Sequence, residues 1–350
     1  MMEANQTSFL VPEWSLQDAV MLAWPHSQTD WNYMLEEVTE CYKNIAKAIL
    51  LTEDIVVVTP DVEKAKHDLK SIGEVTHRIN YYDIETNDTW IRDFGPITIA
   101  RCGKLIPIDF KFDAWGMKFA ADKDNLVTSN LKQIFTNEPV NCRGFVLEGG
   151  SIETDGKGVL MTTSKCLLSS NRNAQLNKDE IEVYLKKVFN VSKILWLNHG
   201  EMSGDDTDGH IDTLARFTPF GTILYNGIKY NSANMSVELK ASLELMEAEL
   251  RSFTNRDGQA YKLIQLPVPD PIYDENGLQL PATYANYLVI NEQVLVPVYN
   301  QPRFDSLALE IISQAFPEHT VTGIDCNALI KQHGSLHCVT MQIPSNTLKI

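Results

Sequence analysis

Four times along this 350-residue chain an apolar segment, a tight polar turn and a second apolar segment follow one another before a helical stretch begins, and a fifth such pattern is opened near the C-terminal end. The first pair is Ile91 to Ala100 and Lys104 to Phe110 around Cys102-Gly103; the second is Phe145 to Glu153 and Val159 to Thr163 around Asp155-Gly156-Lys157-Gly158. His210 to Phe217 with Thr222 to Asn226, and Ala285 to Ile290 with Gln293 to Tyr299, form the third and fourth. Short polar turns between alternating apolar runs predict antiparallel hairpins. The fifth opens at Leu336 to Met341 and has no following partner, so its second strand is either missing or borrowed from the N-terminal segment around Ala19 to Trp24, which would close the repeats into a ring. Apolar residues three and four apart predict covering helices over 33–51, 178–189, 236–253 and 306–316. No linker, charge block or low-complexity tract divides the chain, so residues 1–350 are read as one α/β domain.

A strand entering a core should not begin with unpaired ionisable groups, because burying them alone costs several kcal/mol. Each of these does. The heads of the five repeats carry Asp93, Glu148, His210, Asn286 and Cys338, spaced 52 to 76 residues apart. One polar group per repeat at one structural level implies convergence on an axis. Cys338 with His210 is the pair needed for nucleophilic catalysis, the thiolate attacking an electrophilic carbon while the imidazole handles protons. Carboxylates beside them would raise the thiol pKa and repel an oxyanion, so they fit only a substrate that is itself a cation. A guanidinium is planar and permanently charged, and its forked N–H groups match carboxylates two bonds at a time. Asp212 lies two residues after His210, so on a strand both side chains face one side, where Asp212 orients the imidazole or grips substrate. Gly149, Gly150 and Gly209 permit close backbone approach.

Composition narrows the partners. The net charge of −16, without any basic run, argues against nucleic acid and anionic membranes and suits a small cationic substrate. No apolar stretch reaches the ~20 residues of a membrane span. Met1 to Trp14 shows no basic stretch followed by an apolar run, so no export signal is read there and the expected location is cytoplasmic. The six cysteines include no CxxC pair, and apart from Cys338 they read as reduced packing residues. His333 and His337 form HxxxH in a loop without the HExxH glutamate, and Asp205 to Gly209 fails the calcium-loop register, so no metal is expected. Trp90 is a candidate to stack on a cation, with core packing as its alternative. Arg92 beside Asp93 reads as a rim ion pair.

Four segments together resemble the agmatine deiminase and bacterial peptidylarginine deiminase family: Asn87-Asp88-Thr89-Trp90-Ile91-Arg92-Asp93-Phe94-Gly95-Pro96, Leu147-Glu148-Gly149-Gly150-Ser151-Ile152, Thr207-Asp208-Gly209-His210-Ile211-Asp212, and His333 to Gln342. The resemblance spans the chain from about Trp24 onward. It implies the pentein fold, a five-bladed α/β propeller of ββαβ modules with pseudo-fivefold symmetry. It also implies an iminohydrolase without cofactor or metal, in putrescine and polyamine metabolism. Carried over by position, Cys338 is the nucleophile, His210 the general acid and base, Asp93 and Glu148 the guanidinium ligands, and Asp212 the partner close to His210. Trp90 matches a substrate-contacting tryptophan, and Asp206 falls where many agmatine enzymes have a glutamate thought to face the distal amine. Where agmatine enzymes carry a glycine-rich run before the cysteine, this chain has Gln332-His333-Gly334-Ser335-Leu336-His337. The expected substrate is agmatine; arginine and peptidyl arginine are the alternatives within the chemistry. Amidino transfer, a neutral-amide hydrolase and a non-catalytic guanidinium-binding protein are alternatives outside it, and a homodimer is left open.

Overall fold

The computed structural model describes residues 8–230 and 234–349; of the segment Met1 to Trp14 considered above, residues 1–7 lie outside it. The chain is a mixed α/β structure in which five sheets share one pairing rule. In each, an antiparallel pair is extended by a parallel strand. Ile97–Arg101 pairs antiparallel with Lys104–Lys111, and Val140–Val146 joins parallel. Ile152–Thr154, Val159–Thr163 and Lys193–Leu197 repeat the arrangement. So do Ala215–Phe217, Thr222–Asn226 and Lys262–Leu266, then Leu288–Ile290, Gln293–Val298 and Thr320–Asp325. In the last sheet Met341–Pro344 pairs antiparallel with Gln17–Ala23, which Asp54–Thr59 and Ile79–Asp83 continue in parallel. The strand borrowed from near Ala19 is therefore present.

A parallel neighbour needs a crossover, and amphipathic helices supply five of the six, all but the one between Lys104–Lys111 and Val140–Val146; Val62–Lys70 makes the one between Asp54–Thr59 and Ile79–Asp83. Lys178–Phe189 occupies its expected span and buries Ile181, Leu185 and Phe189. Val237–Ser252 starts behind a Ser236 cap and buries Leu239, Leu243, Met246 and Leu250. Leu35–Ile49 begins later than expected because Asp30–Met34 forms a separate 3₁₀ turn. Pro302–Ala315 begins four residues earlier than read, since Pro302 at the first helical position needs no amide partner. The expected turns carry positive φ at Cys102, Gly103, Gly156, Gly158 and Glu292.

Two expectations are corrected. The polar markers do not sit on strands but on or next to tight turns leading into them: Asp93 and Cys338 lie in the turns Ile91–Phe94 and 336–339, Glu148 and His210 immediately precede the 3₁₀ turns Gly149–Ser151 and Ile211–Thr213, and Asn286 follows the turn at 284–285. The strands expected from Ile91 and His210 begin at Ile97 and Ala215, because buried apolar Ile91 and Ile211 continue the pattern through the turns and periodicity cannot separate a buried turn from a buried strand. The span Phe145 to Glu153 is also two elements, Val140–Val146 of one sheet and Ile152–Thr154 of the next. Gly149 makes the break: a Cβ there would lie 2.1 Å from the Arg92 carbonyl oxygen, so the two lead-in turns touch through backbone. Among the described residues no helix is long and apolar enough to cross a membrane.

Candidate active site

The lead-in turns deliver their side chains to one place. The Gly150 amide donates to Asp93 Oδ1 at 2.9 Å. A Cβ on Gly150 would stand 2.7 Å from His210 Nδ1, 3.0 Å from Asp93 Oδ1 and 3.1 Å from Asp212 Oδ2. Three ionisable side chains from two turns thus close around a residue of a third turn that must lack a side chain. His210 Nδ1 lies 3.7 Å from Asp93 Oδ1. Glu148 is fully buried and accepts from Arg172 Nε at 2.7 Å through Oε1, while its Oε2 has no hydrogen-bond partner among the described residues. One ligand-type atom each of Glu148, Cys166 and His210 lies within 4.8 Å of the others, so Glu148 stands beside His210.

Cys338 arrives from the last turn. The Arg92 amide donates to the Cys338 carbonyl at 3.2 Å, which ties the Asp93 turn to the cysteine turn. Asn286 completes the set: its Oδ1 lies 3.4 Å from Cys338 Sγ and accepts from the His337 amide at 2.9 Å, while its Nδ2 donates to Asp212 Oδ2 at 3.2 Å. Cys338 and Asp93 both line a cavity of about 300 Å³ with Trp90, Trp115, Asp206 and His333. Trp90 is held by Trp31, its ring tilted 46° with 5.6 Å between ring centroids, and by the bare backbone of Gly334, where a Cβ would lie 2.1 Å from the indole.

Electrostatics follow from that burial. Removal from water raises the Cys338 thiol well above its ordinary pKa, and the charges of Asp212 and Asp93 raise it further. Burial disfavours charged His210, yet Asp93 and, behind it, Cys166 and Glu148 outweigh this and hold its pKa well above the usual value. Asp93 is raised by its own burial, with His210 opposing. Burial would raise Asp212 as well, but His337, His210 and Arg216 pull it below the ordinary range. Asp206 is pushed up to about 6, chiefly by burial.

All seven residues expected from the sequence lie in or against this site, with one change of partner. Asp212 bonds His337 rather than His210: its Oδ2 meets His337 Nδ1 at 2.8 Å. Residues 211–213 turn at about three residues per turn, so positions two apart do not share a face as they would on a strand. Arg92 is no rim residue; it is buried, reaching the His337 carbonyl at 3.3 Å and Gln342 Oε1 at 2.5 Å. His333 and His337 face different partners, His333 Nδ1 meeting the Gly204 carbonyl at 2.8 Å, so they form no metal pair. Among the described residues Glu148, Cys166 and His210 are the group with metal-ligand spacing, and the Arg172 guanidinium against Glu148 already supplies a cation there.

Sequence reading missed Trp115, Arg172 and Cys166. Trp115 Nε1 donates to Asp93 Oδ2 at 2.9 Å from a turn with left-handed backbone. Arg172 sits in a loop, and nothing local marks it; its other bonds, to Asp208 Oδ2 and the Thr207 carbonyl at 2.7 and 2.8 Å, brace the His210 turn. Cys166 lies inside an apolar run, where a thiol reads as a small hydrophobe.

The profile of the Porphyromonas-type peptidyl-arginine deiminases matches residues 9–344. A C. jejuni agmatine deiminase, solved as a cysteine-to-serine variant with substrate bound, is 37% identical with a TM-score of 0.89, over 100% of this chain and 99% of that one. A Porphyromonas gingivalis protein provisionally named an arginine deiminase is 44% identical with a TM-score of 0.89, over 98% and 100%. A Legionella pneumophila relative, provisionally named an agmatine deiminase, is 32% identical across 98% of this chain and 97% of its own.

Proposed function

Because this chain belongs to the Porphyromonas-type peptidyl-arginine deiminase family, we propose that it hydrolyses agmatine to N-carbamoylputrescine and ammonia through a covalent intermediate on Cys338. The observation that carries the reading is the closure of Asp93, His210 and Asp212 on Gly150 beside the cavity that Cys338 lines. Asp93 and the free Oε2 of Glu148 take the guanidinium N–H groups. The bound cation offsets the two carboxylates that oppose thiolate formation, so as substrate binds the Cys338 thiol gives its proton to water and on to solvent, while His210 keeps its own. Sulfur attacks the central carbon, the C–N bond breaks, and His210 gives its proton to the departing ammonia. Water then attacks the thiouronium carbon, His210 takes the water's proton, and the thiolate leaves with the ureido oxygen in place.

The cavity argues for agmatine over the other guanidines. Asp30, Asp88, Asp93 and Asp206 line it, with Lys331 and His333 as the basic side chains. Agmatine ends in an ammonium that Asp206 can hold. Free arginine brings a carboxylate toward the same acids, and peptidyl arginine brings neutral amides that leave them unpaired. Trp90 and Trp115 then wall the methylene chain. The five sheets with one pairing rule support a closed five-bladed propeller in a single catalytic domain, and we place it in the cytoplasm with the small-molecule substrate this chemistry requires.

The test is a ureido-product assay with agmatine, arginine and a peptidyl arginine side by side. Agmatine should turn over fastest, and Cys338→Ala should form no product while still binding agmatine in calorimetry. Full turnover by Cys338→Ala ends this reading; faster turnover of arginine reassigns the substrate; binding without turnover by the unmodified protein leaves a guanidinium-binding module.

A further inference from the structure

We propose that Glu13 is a positioning residue of the active site: from the N-terminal segment, and through His337, it holds Asp212 in place against the reacting groups. The inference rests on the deiminase reading of Asp212, Cys338 and their neighbours, but its geometry does not. Glu13 precedes every motif that marked the site in the sequence. Its Oε2 nevertheless meets His337 Nε2 at 2.7 Å, and His337 Nδ1 meets Asp212 Oδ2 at 2.8 Å. A carboxylate only accepts, so an imidazole between two of them bonds both only with a hydrogen on each ring nitrogen. Glu13 therefore decides whether the far nitrogen of His337 keeps its hydrogen, and with it how firmly His337 donates to Asp212. His337 is also the residue before Cys338, so the same contact fixes the end of the nucleophile's turn.

The surroundings separate this role from simple scaffolding. Glu13 Oε1 accepts from the Val289 amide at 2.6 Å, and Arg216 Nη2 donates to Oε2 at 2.8 Å. Those two bonds need an oxygen at each place but no charge on His337. Behind the relay stand Arg216, whose Nη2 is 3.1 Å from His337 Nε2, and Arg92, whose Nη1 is 4.0 Å from Glu13; Glu153 pairs with Arg216. In front of it Asp212 is faced by His210, Asp93, Asn286 and the Cys338 thiol. Burial would raise Glu13, yet His337, Arg216 and Arg92 together hold it well below the carboxylate range. It is thus an anion placed where the far side of His337 needs one.

Glu13→Gln keeps an oxygen acceptor at that position and removes the charge. The first measurement is ¹³Cγ-aspartate NMR of the full-length protein, with Asp212→Asn to assign the signal; no substrate is needed. In Glu13→Gln the Asp212 titration should move up by about one pH unit, a tenfold change in proton affinity. The second is the pH profile of ureido formation from agmatine. The acid limb of kcat/KM should move up by the same amount, giving up to about tenfold less activity on that limb, within and below the ordinary carboxylate range, and unchanged activity by pH 8. His337→Gln should reproduce the shift by itself, and adding Glu13→Gln to it should change nothing further. An unchanged Asp212 titration in Glu13→Gln, or in His337→Gln where the first variant does not fold, overturns the proposal. So does a loss of activity that is the same at every pH. An unmodified protein that makes no ureido product would remove the agmatine reading and leave the NMR arm to decide the relay.

Discussion

Asp206 shows how one side chain sets both substrate choice and its pH range. Burial holds its pKa near 6, so the carboxyl is neutral in weak acid and charged above that point. A neutral Asp206 loses the charge-assisted bond to a distal ammonium, worth roughly 1.5–3 kcal/mol at a buried site. KM for agmatine is therefore expected to rise about tenfold or more as pH falls from 7 to 5, while kcat changes less because the guanidinium end is gripped by Asp93 and Glu148. Asp206→Asn should show the high KM at every pH between 5 and 8. Steady-state kinetics on both proteins across that range checks it, and a wild-type KM that stays flat would remove Asp206 from substrate binding. Trp90 belongs to the same scale: its place was legible from the motif, but what holds it, the empty side of Gly334, was not.

The lead-in turn is the element through which this chain turns a sheet repeat into a site. A strand would send alternate residues to opposite faces, whereas a single turn of helix at the mouth of each sheet points its side chains together. The segment Ala114–Met117 does this at highest cost. Ala114, Trp115, Gly116 and Met117 all have φ between 54° and 89°, a left-handed turn that costs roughly 1–2 kcal/mol for each residue bearing a Cβ. Asp113 pins its start, with Oδ1 accepting from the Gly116 amide at 2.9 Å. What the strain secures is Trp115, whose N–H holds Asp93 while its ring meets Phe112 edge-on at 5.2 Å. Gly116→Ala should loosen the turn, since its Cβ would lie 2.6 Å from Asn171 Cβ and its φ is +89°. The expected loss is about 1–3 kcal/mol in chemical denaturation, with a fall in kcat/KM. Trp115→Phe should keep the stability and still lower kcat/KM about 10- to 100-fold, the worth of one hydrogen bond to a charged group. If Trp115→Phe is fully active, the strained turn serves packing alone.

At the scale of the molecule, five of the six sheets among the described residues and the level of the polar groups were legible, because hairpin turns and period-two patterning are written locally; the small sheet of Ile272–Tyr273 and Gln279–Leu280 was not. The pairing of Asp212 with His337, the Arg172 brace and the reach of Glu13 were not, because each joins residues far apart in sequence that only closure of the sheets brings together. Closure has an energetic signature, since it buries carboxyl groups without equal numbers of cations. Glu53 and Asp124 are pushed up to about 8 and Asp88 to about 7, in each case chiefly by burial. These groups hold protons in the folded chain that the unfolded chain releases near pH 4, so the native state binds more protons through the interval and stability falls as pH rises across it. His210, raised well above its ordinary value, adds to the same slope above pH 6.5. Glu13 and Asp212, held low by their cations, act oppositely and only in acid: their contribution is present above the unfolded carboxylate pKa and is lost as pH falls below about 4. Thermal stability should therefore peak near pH 5 and drop by on the order of 5–10 °C by pH 8.5, as loss of a few kcal/mol implies for a chain of this size. Scanning calorimetry from pH 4 to 9 tests it, and Asp124→Asn, which is neutral at every pH, should flatten the alkaline slope; a Tm that climbs toward pH 8 would mean these carboxyls are ionised in the native protein and paired with cations instead.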